Sequence, residues 1–206
     1  MPCRVGESGP AAGVIAAAYF GKLAGRKNLI SFDVGGTTAQ AVLIENGEVR
    51  QAAGPAVGAG INVSRLLQGG GYYIGAATVD LAEVGAGGGS IAWLDGSVLK
   101  VGPRSAGADP GPIVYGLGGD DVTLTDANVL LGRIPGDYFL GGEMKLDVER
   151  SRVAVNAKLA LPLGISIDEA CVAVIEVANA NMLKMLRIVS VEKGYDPGDF
   201  TMVAFG

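Results

Sequence analysis

Asp33-Val-Gly-Gly-Thr-Thr38 places an acid, two glycines and two hydroxyl side chains directly after the apolar run Asn28-Leu-Ile-Ser-Phe32. That order suits an anion. Glycines, lacking a Cβ, let backbone N–H groups approach an oxyanion closely, and a hydroxyl adds one more donor. A nearby carboxylate can hold a magnesium ion through water or orient an attacking water. Asp33 is the candidate catalytic acid and magnesium ligand, with Gly35, Gly36, Thr37 and Thr38 as donors to phosphate.

A second stretch repeats the grammar. Glu83-Val-Gly-Ala-Gly-Gly-Gly-Ser90 again sets an acid, a glycine turn and a hydroxyl before an apolar run. Gly87, Gly88, Gly89 and Ser90 are candidates for the opposite wall of a phosphate site, or simply for the lining of a cleft. Asp126 is a candidate second acid, although Thr125 or Asp126 equally suits a helix cap. Arg104 and Asp109 suit either a carboxylate or phosphate contact or a surface ion pair, and Glu83 reads as an exposed strand-end acid. Neither glycine loop carries the Gly-Lys-Ser/Thr of a P-loop. A strand pattern, not a helix, follows the glycines, which excludes the dinucleotide fingerprint. What remains is a phosphate hairpin between two antiparallel strands.

Composition narrows the chemistry further. The 206 residues include no histidine, so no Ser-His-Asp triad, Cys-His pair or histidine zinc site can be built within this chain. Cys3 and Cys171 form no CxxC spacing and read as reduced thiols. Sixteen basic against 21 acidic residues leave a net charge of −5, which argues against a nucleic-acid binder. With 49% apolar and 18% charged residues the chain is far from the disordered class. The apolar stretch Ala11–Phe20 is too short to span a bilayer, and no signal peptide is visible, so a soluble cytoplasmic protein is expected. The 34 glycines lack a third-position period and should mark turns and close backbone approaches.

The elements that must position these groups read as α/β. A small-residue helix is expected from Ser8 to Ala24, its small side chains allowing close packing on a sheet. Strands follow at 28–33, 38–45 and 48–51, the last two joined by an Asn46-Gly47 turn. The stretch 52–71 shows no pattern. A strand-like unit covers 75–84, and a hairpin over 91–101 turns at Asp95-Gly96. Residues 102–119 read as loop, and a short helix begins at Thr125. A helix over 147–161 is expected to stop at Pro162. The last helix opens on a Ser166/Glu169 capping box, with an apolar stripe at Val172, Ile175, Ala178, Met182, Met185 and Val189, and a closing strand covers 200–205.

The loop Asp33-Val-Gly-Gly-Thr37 resembles the phosphate loop of the superfamily of actin, sugar kinases and heat-shock ATPases. More specifically, the chain resembles the hydantoinase A/5-oxoprolinase family, which includes acetone and acetophenone carboxylase subunits. The resemblance rests on Ser8-Gly-Pro-Ala-Ala-Gly13, Phe32–Thr37, Val84–Ala92, Thr125–Asn128, Leu131-Gly-Arg133 and Ser190–Pro197. The most specific stretch is the block Val101-Gly-Pro-Arg-Ser-Ala-Gly-Ala-Asp-Pro-Gly-Pro112.

This resemblance implies an actin-like (ribonuclease H-like) ATPase domain with phosphate-binding β-hairpins, one of two lobes plus an inserted Gly/Pro-rich subdomain. Within a single domain, the phosphate hairpin would occupy 28–52, the insertion 75–135, and helices with the closing strand 147–206. It implies ATP, magnesium and a small cyclic amide such as hydantoin, N-methylhydantoin or 5-oxoproline, whose oxygen ATP phosphorylates before water opens the ring. A carboxylase subunit of the acetone/acetophenone type is an alternative, as is a non-catalytic nucleotide-domain fragment or assembly module. A second subunit or a homo-oligomer is implied, and the isolated chain is expected to be inactive. Relatives place an earlier Asp-Gly-Gly-Thr loop in a preceding domain and continue past Phe205-Gly206, so the chain resembles one central domain of a larger enzyme. Gln40 stands where many relatives carry an acid or Lys, and Ala82 where some carry histidine.

Overall fold

A computed structural model describes residues 8–53, 56–57, 72–73 and 77–206. Cys3, most of the stretch 52–71 and the start of the strand-like unit at Gly75 lie outside them. In order, the elements are α1 (Ser8–Leu23), β1 (Leu29–Val34), β2 (Ala39–Glu45), β3 (Glu48–Val49), β4 (Gln51–Ala53), β5 (Ala56–Val57), β6 (Tyr72–Tyr73), β7 (Ala77–Val79) and β8 (Leu81–Val84). They continue with β9 (Ser90–Asp95), β10 (Val98–Ser105), α2 (Leu124–Leu130), α3 (Val148–Val155), α4 (Leu161–Leu163), α5 (Ile167–Val189) and β11 (Thr201–Phe205). They gather into two compact units. One holds the described residues through Val34, with Ala39–Val84 and Leu183–Gly206; the other holds Gly35–Thr38 and Gly85–Met182.

The first unit is a mixed sheet. β2 pairs antiparallel with β1 from Leu29↔Ile44 to Val34↔Ala39. Its other edge carries β8, from Ala39↔Val84 to Val42↔Leu81, and β3, at Ile44↔Val49 and Glu45↔Glu48. β11 runs parallel to β1, from Leu29↔Thr201 to Asp33↔Phe205. Asn46 and Gly47 both take positive φ (55° and 83°), as a two-residue hairpin turn between twisted strands requires. Val14 and Ala17 of α1 are buried with Leu29, Val42, Ile44 and Leu81. The small residues of α1 permit that approach: a Cβ on Gly13 would lie 2.7 Å from the Phe205 ring, and one on Gly21 would collide with Leu29. Two short ladders, β4 with β7 and β5 with β6, lie within and beside the stretch that showed no pattern.

The second unit packs helices on the hairpin of β9 and β10. The ladder runs from Val98↔Asp95 to Val101↔Ala92, then bulges and resumes at Ser105↔Ser90. The strand therefore extends four residues into the stretch expected to be loop. Gly102, at φ 71°, supplies the backbone twist that breaks the ladder without ending the strand. A 3₁₀ turn at Ile113–Tyr115 occupies more of that stretch. α2 starts at Leu124 under a Thr123 cap, one residue ahead of the expected start.

Pro162 does not stop its helix. Residues Asn156–Ala160 form a π turn in which the Leu161 N–H donates to Asn156 O, five residues back. The wider turn draws the carbonyls away from the proline ring, and α4 continues to Leu163 before Gly164 ends it at φ 68°. α5 begins with the expected capping box, the Ser166 amide donating to Glu169 Oε2 at 2.8 Å and the Glu169 amide to Ser166 Oγ at 3.2 Å. Its buried face holds Ala170, Cys171, Val174, Ile175 and Ala178, while Val172 is 42% exposed. Of the expected stripe, Ile175, Ala178, Met185 and Val189 are buried and Met182 is partly buried, so Val172 alone falls outside the buried face. Burial makes Cys171 behave as a small hydrophobe.

Candidate functional site

The loop between β1 and β2 returns the chain in four residues, closed by the Gly35 amide donating to Thr38 O at 2.9 Å. Its back is held by the second glycine loop. The Gly88 amide donates to Gly35 O at 3.0 Å and the Gly89 amide to Gly36 O at 2.6 Å. A Cβ on Gly87 would sit 2.6 Å from Gly35 O, 2.7 Å from Gly36 C and 2.7 Å from Thr37 N. Only glycine fits there, because the atoms in the way are backbone.

With the carbonyls of Gly35 and Gly36 turned toward the second loop, the other side of the bend carries amides. Gly35, Gly36 and Thr37 are exposed, and among the described residues the N–H groups of Gly36, Thr37 and Thr38 have no hydrogen-bond acceptor. Unpaired amides at an exposed bend are donors suited to an anion. The Thr37 hydroxyl stands at the same bend, 3.3 Å from Ser105 Oγ.

The second loop is a buttress. Gly87, Gly89 and Ser90 are buried. The Gly87 amide donates to Ser90 Oγ at 2.8 Å, and the Ser90 amide to Gly87 O at 3.0 Å. Gly88 O accepts both the amide and the hydroxyl of Thr125, each at 2.8 Å. Gly89 O accepts the Ala106 amide at 2.8 Å. The amides of Gly87, Gly88, Gly89 and Ser90 thus all have partners inside the protein. The structure brings this loop against Gly35–Thr37 but points its donors into the fold.

Asp126 faces the interior as well. It is 0% exposed, and its carboxylate accepts from the amides of Ile113 (3.4 Å), Val114 (2.9 Å) and Thr123 (2.8 Å) and the hydroxyls of Thr123 (2.7 Å) and Ser151 (3.0 Å). It forms the capping box of α2 with Thr123 and ties that helix to the 3₁₀ turn and to α3. A buried carboxylate is tolerated when donors converge on it in this number. Burial first, and the Asp126 charge second, push the Tyr115 phenol above its ordinary pKa.

Asp33 lies in the first unit, half-buried near the end of β1, paired with Gln40 on one side and Phe205 on the other. A Cβ on Gly206 would lie 2.8 Å from Asp33 Oδ1, so the backbone after β11 runs beside the carboxylate. Gln40 donates through Nε2 to Glu83 Oε1 at 3.2 Å, which gives both side chains a partner across the β2–β8 ladder. Arg104 is exposed and 3.8 Å from Asp121, a loose surface pair. No group of three His, Cys, Asp or Glu side chains suited to a metal occurs among the described residues. A magnesium ion could rest on Asp33 only with water and ligand oxygens completing its shell.

Ser105 and Thr125 belong to this site and were not singled out as site residues from the sequence. Thr125 stands beside the candidate Asp126, and a hydroxyl at the second position of a helix is an ordinary sight. Ser105 sits in the proline–glycine block, where a bulge that the sequence does not announce turns it toward Thr37.

An uncharacterized protein of Methanocaldococcus jannaschii is 50% identical over 206 residues, all of this chain and 30% of the relative. The caprolactamase subunit alpha of Pseudomonas jessenii is 40% identical over 97% of this chain and 27% of its own length. The nucleotide-free structure of acetone carboxylase, described with ATP-dependent acetone carboxylation, superposes with a TM-score of 0.83 at 36% identity, over 97% of this chain and 27% of that one. The mixed α/β fold is shared. The chain spans less than a third of the length of these relatives. The family profile described as hydantoinase/oxoprolinase matches residues 1–206, and the chain belongs to the hydantoinase/oxoprolinase family.

Proposed function

We propose that this chain is the phosphate-handling part of an ATP-dependent enzyme that opens a cyclic amide of the hydantoin or 5-oxoproline kind. The observation that carries the reading is the exposed bend at Gly35–Thr37, where the amides of Gly36, Thr37 and Thr38 are unpaired and the carbonyls of Gly35 and Gly36 are pinned. A relative's name adds support, since a lactam is a cyclic amide. The order β8–β2–β1–β11, with a parallel fourth strand after three antiparallel ones, supports placing the sheet in one lobe of an actin-like ATPase.

An amide is a poor acyl donor, and bound ATP supplies a phosphoryl group that makes its carbonyl carbon a better electrophile. The chain's own residues hold and orient. The amides of Gly36, Thr37 and Thr38 grip an anionic oxygen, and the Thr37 hydroxyl adds a donor. Asp33 holds magnesium-bound water or orients the attacking water. Gly87, Gly88 and Gly89 keep the bend in shape, and Asp126 serves as the anchor of the floor beneath it rather than as a catalytic acid. Assembly with a second subunit and a cytoplasmic setting complete the reading.

Asp33→Ala in the full-length gene product tests it: ATP-dependent ring opening of hydantoin or 5-oxoproline is lost while the melting temperature is kept. Retained turnover overturns the role of Asp33. A second reading, a carboxylase subunit, is favoured by the superposition on acetone carboxylase. Turnover of acetone with bicarbonate and ATP, in place of the cyclic amides, selects it.

A further inference from the structure

We propose that Ser105 is a positioning residue that aims the Thr37 hydroxyl at a bound phosphate, an inference that rests on the phosphate reading of the bend. Three features seat Ser105. Gly89 leaves room for it, since a Cβ there would lie 2.9 Å from Ser105 Oγ. The Ala106 amide donates to Gly89 O at 2.8 Å and holds the following residue in place. The Gly107 amide donates to Ser105 Oγ at 3.1 Å.

That last bond sets the direction of the chain of donors. An amide can only donate, so Ser105 Oγ accepts from Gly107 and keeps its own proton to give. Thr37 Oγ1 is the neighbour at 3.3 Å. When Ser105 donates to Thr37, the Thr37 hydroxyl has one lone pair filled and its proton free for an acceptor beyond. The run Gly107 N–H, Ser105 O–H, Thr37 O–H then ends in a donor at the exposed bend. Each donor in such a series polarises the next. An anionic oxygen fixes this direction, because it accepts from Thr37 and offers no proton in return. Ser105 touches no ligand itself.

Calorimetric titration of Mg-ATP into the full-length gene product, with four proteins beside the native one, tests the proposal. Thr37→Val and Ser105→Ala each weaken binding about tenfold, the scale of one hydrogen bond to a charged group. Ser105→Thr, which keeps the hydroxyl, binds within about twofold of native. The double variant Thr37→Val/Ser105→Ala binds no more weakly than Thr37→Val alone, because the two residues act through one proton. Melting temperatures of all four are measured alongside, so that a fold defect is not mistaken for lost binding. Native affinity in Ser105→Ala, or losses that multiply in the double variant, overturns the role of Ser105 and leaves the phosphate reading standing. Native affinity in Thr37→Val overturns the roles of the Thr37 hydroxyl and of Ser105 together, whereas no binding of Mg-ATP to the native protein overturns the phosphate reading itself.

Discussion

The Gly88 amide donates to the carbonyl oxygen of Gly35 across 3.0 Å, joining residues 53 positions apart (88 − 35) through backbone alone. The neighbouring Gly87 has no room for a side chain, with Gly35 O, Gly36 C and Thr37 N all within 2.7 Å of the position its Cβ would take. Gly87→Ala must push one loop off the other. It is expected to cost about 2 kcal/mol of stability, as overpacked sites do. Gly36→Ala is the control, because nothing lies within 4 Å of its Cβ. Urea melts of the two variants should separate clearly, and equal midpoints would count against the buttress.

Asp126→Asn keeps the shape of the side chain and replaces an acceptor oxygen with an NH₂ group among five donors. The expected loss is about 3 kcal/mol or more, because a buried donor then faces donors. Denaturant unfolding measures it. A variant of native stability with abolished turnover would instead make Asp126 a catalytic acid.

Burial pushes the Cys171 thiol up to about 11, with the Asp168 charge adding to the effect. The thiolate is the reactive form, so alkylation at pH 8 should be very slow in the folded protein and rapid in urea. Peptide mapping of the residue-171 fragment after iodoacetamide follows this directly. Fast native labelling would show that α5 opens at this position.

The Arg50 guanidinium, and secondarily the Tyr195 hydroxyl, hold the Glu45 carboxyl below its ordinary pKa. A carboxyl lowered in the folded state stabilises fully above its unfolded pKa, and that contribution fades as pH falls through the folded value. Glu45→Gln should therefore remove a small part of the loss of stability on acidification. The pair is solvent-exposed, so the change is modest and shrinks in high salt. Melting temperatures from about pH 3 to about pH 7 at two salt concentrations resolve it.

The local signals of the sequence led to the right elements wherever one short stretch decides the outcome. Asn46-Gly47 and the Ser166/Glu169 box each act on neighbours a few positions away, and each was legible. Thr125–Asn128 was legible as a helix but not in the job of its acid. Asp126 is fixed by Ile113, Val114, Thr123 and Ser151, and three of those contacts come from more than ten residues away. The same limit applies to the glycine loops. Their composition pointed to a shared site, yet only tertiary packing decides which loop faces outward and which lies beneath it. Pro162 misled because its effect depends on the five residues before it widening their turn.

The bend at Gly35–Thr38 belongs to the same compact unit as Gly85–Met182, although the strands on either side of it belong to the other. Excising residues 85–182 as a gene segment would therefore strand the amides of Gly88 and Gly89 without the oxygens they meet in the intact polypeptide. A recombinant piece designed at those borders would need a grafted tetrapeptide to stand in for the missing loop, and a circularly permuted gene would serve better than a simple cut.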